Sequence, residues 1–218
     1  MTRVITLLSV ALLGFVAGLA FPDRAVYKSS DGRKEETTVV RADGGYSVRS
    51  TSDSGLTTEA DLDSSFATVS WKLVNGPEKT QVVATRSGDR IALDGTFKGK
   101  AFQKTYSIDP APWVEDWGLG LRAFARGSEK QTAFWSINPA DLTMIARFEA
   151  TRVGRESLTV NGSAVECVHV KVALPGMLSV FFSMDMWYRA SDAAPLRSRA
   201  PRGPGAPVVI TDLVSLEE

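Results

Sequence analysis

The chain has very few of the residues on which most catalytic and metal sites depend. It contains one cysteine, Cys167, and one histidine, His169. A single cysteine excludes an intramolecular disulfide, and one cysteine with one histidine would need two further carboxylates to close a zinc site. No Gly-x-Ser-x-Gly elbow is present to carry a nucleophilic serine. We therefore expect no metal and no cofactor, and no catalytic residue is assigned.

An excess of charge is also missing. The sequence has 25 Lys and Arg against 25 Asp and Glu, so its formal net charge is zero. Proteins that bind nucleic acid usually show a basic excess. The composition therefore predicts no nucleic-acid partner.

The first twenty residues have the pattern of a cleaved secretory signal. Arg3 supplies a positive charge, residues 4–16 form an apolar-to-small run, and Gly18 and Ala20 are small residues at the −3 and −1 positions. The run is shorter than the ~20 apolar residues of a bilayer span. We expect a signal peptide over residues 1–20, a single domain over residues 21–218, and a periplasmic or secreted protein that is not an integral membrane protein after cleavage.

What the sequence does contain is an alternation of apolar and polar residues with period two. The alternating runs are separated by Asp-Gly and Asn-Gly pairs such as Asp31-Gly32, Asp94-Gly95 and Asn161-Gly162, which are typical of tight hairpin turns. The pattern predicts an all-β, mainly antiparallel fold, a curled sheet or half-barrel of roughly ten strands. The proline-rich stretch 193–207 is predicted to be a loop, with a short strand at its start as the alternative.

One segment departs from this period and predicts a helix across the mouth of the curled sheet. Asp109 and Pro110 favour its start and Gly127 its end. Gly118 and Gly120 weaken it by ~1 kcal/mol each relative to alanine, which predicts some mobility. A helical spacing places four large apolar residues on one face: Trp113, Trp117, Leu121 and Phe124.

A strand predicted over residues 178–189 has an unusually apolar face with two methionines. Methionine side chains are flexible and adapt to ligands of varied shape. The strand face and the helix face together form the predicted ligand-binding surface, although ordinary core packing is the alternative. The strand contributes Val180, Phe182, Met184, Met186 and Tyr188.

Short sequence pieces add a resemblance to a known family. They are Gly44-Gly45-Tyr46, Ser70-Trp71, Gly154-Arg155-Glu156 and Trp187-Tyr188. With the predicted export and the tryptophan-bearing helix, the layout resembles the LolA/LolB type of periplasmic lipoprotein carrier and related uncharacterised periplasmic β proteins. The resemblance implies a curled sheet around an apolar, lipid-binding hollow, and so a non-enzymatic protein with a hydrophobic ligand.

Two other functions stay open at this stage. The chain could be an envelope scaffold that acts by contacts with a partner protein, or a hydrolase that uses His169, which shares a predicted strand face with Cys167. A basic cluster in the proline-rich stretch suggests contact with a lipid head group or an acidic partner. It consists of Arg197, Arg199 and Arg202.

Overall fold

A computed structural model of the chain describes residues 24–201 and 206–217. The predicted signal peptide therefore lies outside the described residues, as does Arg202. The strands are β1 (Arg24–Ser29), β2 (Lys34–Ala42), β3 (Gly45–Ser52), β4 (Leu56–Asp63), β5 (Thr68–Asn75), β6 (Thr80–Ser87), β7 (Arg90–Phe97), β8 (Lys100–Ser107), β9 (Gln131–Ile137), β10 (Ile145–Val160), β11 (Ser163–Ala173), β12 (Ser183–Arg189), β13 (Pro195–Pro201) and β14 (Val208–Glu217).

These strands form one antiparallel sheet. Their order is β8-β7-β6-β5-β4-β3-β2-β1-β14-β13-β12-β11-β10-β9, so two long meanders meet where β1 pairs with β14. The predicted antiparallel all-β fold is confirmed, and the number of strands is fourteen rather than roughly ten.

The alternation in the sequence matches the two faces of the sheet. In β6, Thr80, Val82 and Ala84 are buried while the residues between them are exposed, as expected for a strand with one face on the core. At the predicted turn 161–162, Asn161 and Gly162 have φ angles of 50° and 81°. Both angles lie in the left-handed region that a two-residue hairpin turn requires.

The stretch predicted to be a loop, or a loop with a short strand at its start, contains strand β13 near its start. Its prolines stand at the two ends of the strand, Pro195 opposite Tyr188 and Pro201 opposite Val208. Proline lacks the N–H group of a ladder bond and is tolerated at such terminal positions. The prolines therefore bound β13 and do not prevent it from forming.

The sheet curls until its two outermost strands approach each other without closing. No ladder pairs β8 with β9 among the described residues. Instead, the Tyr106 hydroxyl of β8 donates to the Leu142 carbonyl in the β9–β10 loop, at 2.6 Å. The prediction of a curled sheet is confirmed.

The connection from β8 to β9 contains two short helices, α1 (Trp117–Gly120) and α2 (Arg122–Arg126). The helical part begins eight residues later than predicted, because the preceding segment pairs with β9. Val114 donates its N–H to the Trp135 carbonyl and Trp135 donates to the Pro112 carbonyl, both at 2.8 Å. Asp116 then caps α1 by accepting from the Leu119 N–H at 2.8 Å. Gly127 ends α2, as predicted.

This connection packs into the concave side of the sheet. Trp113 and Leu119 join the apolar cluster made by β2 to β8, whereas Leu121 and Phe124 join the cluster made by β9 to β12. The helical connection therefore links the interiors of the two meanders. In the part of the chain that the structure describes, no helix has the length and apolar character needed to cross a membrane.

Candidate functional site

A buried carboxyl group holds the entry to the helical connection. Glu115 accepts hydrogen bonds from the Trp113 indole, from the Ile137 N–H at 2.7 Å and from the Ser136 hydroxyl at 3.3 Å. Its side chain is partly accessible, but protein atoms surround the carboxyl group, and this desolvation raises the pKa of Glu115 to about 8 despite the three donors. Glu115 thereby ties the connection to β9.

A second buried group holds the far end of the connection. Arg122 is fully buried and donates to the carbonyl groups of Asp192, at 2.8 Å, and Ala193, at 3.2 Å. Its guanidinium also lies 5.6 Å from the centre of the Phe66 ring. Burial lowers the pKa of Arg122, and the charge of Asp192 opposes that effect. Arg122 thus ties α2 to the turn between β12 and β13.

Four aromatic side chains form a cluster between α1 and the sheet. Trp117 contacts Phe134, Phe148 and Phe182, with ring centres 5.3, 4.8 and 5.9 Å apart. The tilted and edge-on geometries of these pairs are favourable for aromatic rings. Tyr188 fixes the backbone beneath the cluster by donating to the Trp117 carbonyl at 2.8 Å.

A cleft of about 440 Å³ opens beside α2. This volume lies within the ~300–1,000 Å³ that is usual for small-molecule sites. The lining residues are Ser65, Ala67, Pro112, Val114, Gly120, Leu121, Ala123, Phe124, Gly127, Ser128, Glu129, Thr132, Ala133 and Phe134.

The cleft has an apolar floor and a polar rim. Leu121, Phe124 and Phe134 are buried and form the floor, whereas Ser128 and Glu129 are exposed at the opening. Phe134 belongs to both the floor and the aromatic cluster, so the two features are continuous.

An arginine supports the floor and the rim of the cleft from outside. The Arg152 guanidinium lies 5.6 Å from the centre of the Phe124 ring and donates to the Phe124 carbonyl. It also donates to the Glu129 carbonyl at 3.3 Å. Arg152 therefore holds the end of α2 and the following loop at a fixed distance from β10.

A solved structure shares this fold, and a second one gives a weaker match. A β-barrel-like protein of the domain of unknown function DUF1849 from Brucella abortus has a TM-score of 0.64 at 11% identity, covering 90% of this chain and 97% of that chain. The hypothetical lipoprotein YmcC from Escherichia coli (K12) has a TM-score of 0.38 at 11% identity, covering 90% of this chain and 89% of that chain. No family model and no curated protein matches the sequence. The likeness to the DUF1849 protein shows a common curled β architecture.

The four residues of the helical half of the predicted binding surface lie in three different places. Leu121 and Phe124 line the cleft, and Trp117 is the centre of the aromatic cluster. Trp113 is fully buried in the extended segment before α1, and its indole is bound to Glu115. The four residues do not share one helix face, because Trp113 lies outside the helices.

The strand half of the predicted surface needs a correction, because two of its five residues, Val180 and Phe182, lie outside β12. Val180 belongs to a short 3-10 helix, Gly176–Val180, and is 80% exposed, because β12 begins only at Ser183. Phe182 reaches the aromatic cluster from just before the strand. Met184 is partly buried against the inner core, where Met186 and Tyr188 are buried. None of these five residues is among those that line the cleft.

Two of the three predicted head-group arginines are held in ion pairs. Arg197 bonds to Asp212, and Arg199 lies 3.5 Å from Asp185. Both are on β13, away from the lining of the cleft. Arg202 lies outside the described residues.

His169 lies between two carboxylates on the outer face of the sheet. Its ring nitrogens are 2.8 Å from Asp185 and 3.4 Å from Glu156, and the ring stacks on Trp187 with centres 4.7 Å apart. Its neighbours Val168 and Val170 point into the core, so His169 points away from the cleft. Cys167 shares its face, as predicted, and is fully buried.

Sequence reasoning did not find Phe134 and Phe148, which complete the site. Both are on neighbouring strands, β9 and β10, and they lie opposite each other in the ladder. The polar neighbours of Phe148, Arg147 and Glu149, indicate its inward orientation. Phe134 lies between Ala133 and Trp135, and this pattern gives no such signal. The sequence does not indicate which residues of the distant helical connection they meet.

Proposed function

We propose that the chain is an exported, non-enzymatic binding protein that holds a lipid-like ligand in the cleft beside α2. The observation that carries the proposal is the combination of an apolar floor with a polar rim in a space of about 440 Å³. Burial of an apolar chain contributes ~25 cal/mol per Å², and the rim keeps the polar end in water.

The resemblance to LolA/LolB-like carriers agrees with a ligand of this kind, and the predicted signal peptide agrees with a place in the cell envelope. Export is tested by expression of the full chain in a bacterial host. The intact mass of the recovered protein should lack the first twenty residues. A mass that retains them contradicts the predicted cleavage after Ala20.

The binding proposal is tested with a fluorescent fatty-acid analogue. We expect saturable binding to delipidated, exported protein. Ala123 is exposed and lines the cleft, so Ala123→Trp should occupy the site and weaken binding by about tenfold or more, ~1.4 kcal/mol. The matched control is Ala101→Trp, at an exposed position of β8 outside the lining.

The outcomes separate the cleft from other surfaces. Binding that is weakened by Ala123→Trp and unchanged by Ala101→Trp supports the cleft. Wild-type protein without saturable binding overturns the proposal, as does equal binding by both variants. Circular dichroism of each variant confirms that the fold is retained.

A further inference from the structure

The connection between β11 and β12 carries an unusual group of exposed apolar side chains. We name residues 174–182 the apolar tip. Four of its large side chains are exposed: Met177 by 90%, Leu178 by 52%, Val180 by 80% and Phe181 by 63%. Soluble surfaces rarely concentrate such residues without a function in binding.

Other exposed apolar residues occur at the same end of the sheet. Met144 is 57% exposed and precedes β10, whose residue Glu149 pairs with Ala173 at the end of β11. Val208 is 49% exposed and pairs with Pro201 at the far end of β13. The strand registers therefore place Met144 and Val208 on the same rim as the apolar tip.

The charges below the tip are balanced. On the outer face, Lys171 is paired in register with Asp185, and Asp185 lies 3.5 Å from Arg199. On the neighbouring strand, Glu149 accepts from Gln131 at 3.0 Å. Residues 172–184 contain no charged side chain. An uncharged projection above both signs of charge matches a zwitterionic lipid surface, where phosphate and ammonium groups lie together over the acyl chains.

The exposure of the tip agrees with the same partner. Met177 and Val180 are 90% and 80% exposed, so their side chains can enter a lipid surface. Interfacial elements bury their apolar faces ~5–10 Å into the boundary between head groups and acyl chains. A convex tip needs no complementary pocket in a bilayer, whereas a protein partner would have to supply one.

We infer that the apolar tip inserts into the surface of a zwitterionic lipid bilayer. Phe182, at the base of the tip, contacts Trp117 and Phe148. Insertion therefore brings the aromatic cluster next to the membrane. The inference goes beyond the proposed ligand binding and does not depend on it.

The test is flotation of the exported protein with phosphatidylcholine vesicles. We expect wild-type protein to float with the vesicles, at low and high salt alike, because apolar burial rather than charge drives insertion. The variant Val180→Asp/Phe181→Asp should reduce the floated fraction about tenfold or more, since two charges would enter the bilayer boundary. Both positions are exposed, so the fold should be retained.

The matched control is Val40→Asp/Val153→Asp, which changes two valines that are 59% and 57% exposed on strands away from the tip. It should float like the wild type. All three proteins share one N-terminus, so differences between them report the tip.

Three results would overturn the inference: wild-type protein that stays with the soluble fraction, equal flotation of both variants, or flotation that needs anionic lipid and disappears in salt. A tip variant that loses self-association rather than flotation would also overturn it, in favour of contact between copies. Binding of the fatty-acid analogue without vesicles should be unchanged in the tip variant, which separates this inference from the proposed function.

Discussion

Among single residues, Glu115 should make the stability of the fold depend on pH. Its pKa is raised from an ordinary value of 4.5 to about 8 in the folded chain, so between these values the folded state holds a proton that the unfolded state has lost. Stability is then full below about pH 4.5 and falls as the pH rises towards 8, by a few kcal/mol at most.

This dependence is measured by thermal unfolding between pH 4.5 and 8.5. Glu115→Gln keeps the shape of the neutral carboxyl group and should flatten the curve relative to the wild type. The exposed carboxylate Glu78 provides the control, and Glu78→Gln should leave the wild-type slope unchanged. Equal slopes for wild type and Glu115→Gln would show that Glu115 is ionised in the folded state.

Arg122 should contribute strongly to the stability of the fold, because it is buried and bonds two backbone carbonyl groups of a distant turn. Arg122→Met removes a guanidinium that bonds two backbone carbonyl groups and leaves those acceptors buried. We expect a loss of ~2–4 kcal/mol in the free energy of unfolding in urea. Arg126→Met changes an exposed arginine of the same helix and should cost ~0.5 kcal/mol or less. Similar losses for the two variants would contradict the anchoring role of Arg122.

At the scale of the element, the close packing of α1 against the extended segment depends on Gly120. A Cβ atom at this position would lie 2.2 Å from Cγ1 of Val114. This is a steric clash, so one of the two residues would have to move. Gly120→Ala should therefore destabilise the protein by ~1–3 kcal/mol and alter the cleft, which both residues line.

The control for Gly120 is Gly154→Ala, because a Cβ atom there would meet nothing within 4 Å. Urea unfolding and binding of the fatty-acid analogue are measured on both variants. If Gly120→Ala has the free energy of unfolding and the ligand affinity of the wild type, α1 and the extended segment are not packed as closely as the structure indicates.

The strands and hairpins were largely predictable, and the helical connection was predictable in part. The alternation of apolar and polar residues and the Asn-Gly pairs determine structure over only a few residues. Turns such as Asn161-Gly162 could therefore be placed from sequence alone. The segment before α1 could not, because its conformation is decided by pairing with Trp135, about twenty residues away in the chain. The spacing that predicts a helix from residue 109 is local, and a long-range ladder contact overrode it.

The candidate site was predictable to a similar extent. Leu121 and Phe124 line the cleft as parts of the predicted helix face. Val180 was misplaced, because apolar alternation continues through the 3-10 helix and does not distinguish it from strand β12. Pro175 and Gly176 are the local signal that the strand has been interrupted before Ser183.

At the scale of the whole molecule, the sheet is held together at its centre by its first and last strands. β1 and β14 pair from Arg24 opposite Glu217 to Ser29 opposite Thr211, and the Arg24 guanidinium bonds to Glu217 at 2.7 Å. Each meander alone would expose a long unpaired edge at this junction. The stability of both halves therefore depends on a contact between residues nearly two hundred positions apart.

This topology predicts that the chain tolerates circular permutation. Residues 24 and 217 face each other across one ladder step, ~4.8 Å in a sheet, so a short glycine-serine linker can join them. New ends between Gly76 and Pro77 fall in an exposed hairpin turn, where few contacts are lost. We expect this permutant to unfold cooperatively, with a free energy within ~1–2 kcal/mol of the wild type, since joining the ends and opening a short turn change loop entropy only slightly.

A second permutant, with the same linker and new ends between Trp71 and Lys72, is the control. It interrupts β5 beside a buried tryptophan and should lose cooperative unfolding, because two half-strands cannot maintain the ladder to β4 and β6. Urea unfolding followed by tryptophan fluorescence compares the two. Cooperative unfolding of both, or of neither, would contradict a sheet whose continuity depends on the β1–β14 ladder and on intact inner strands.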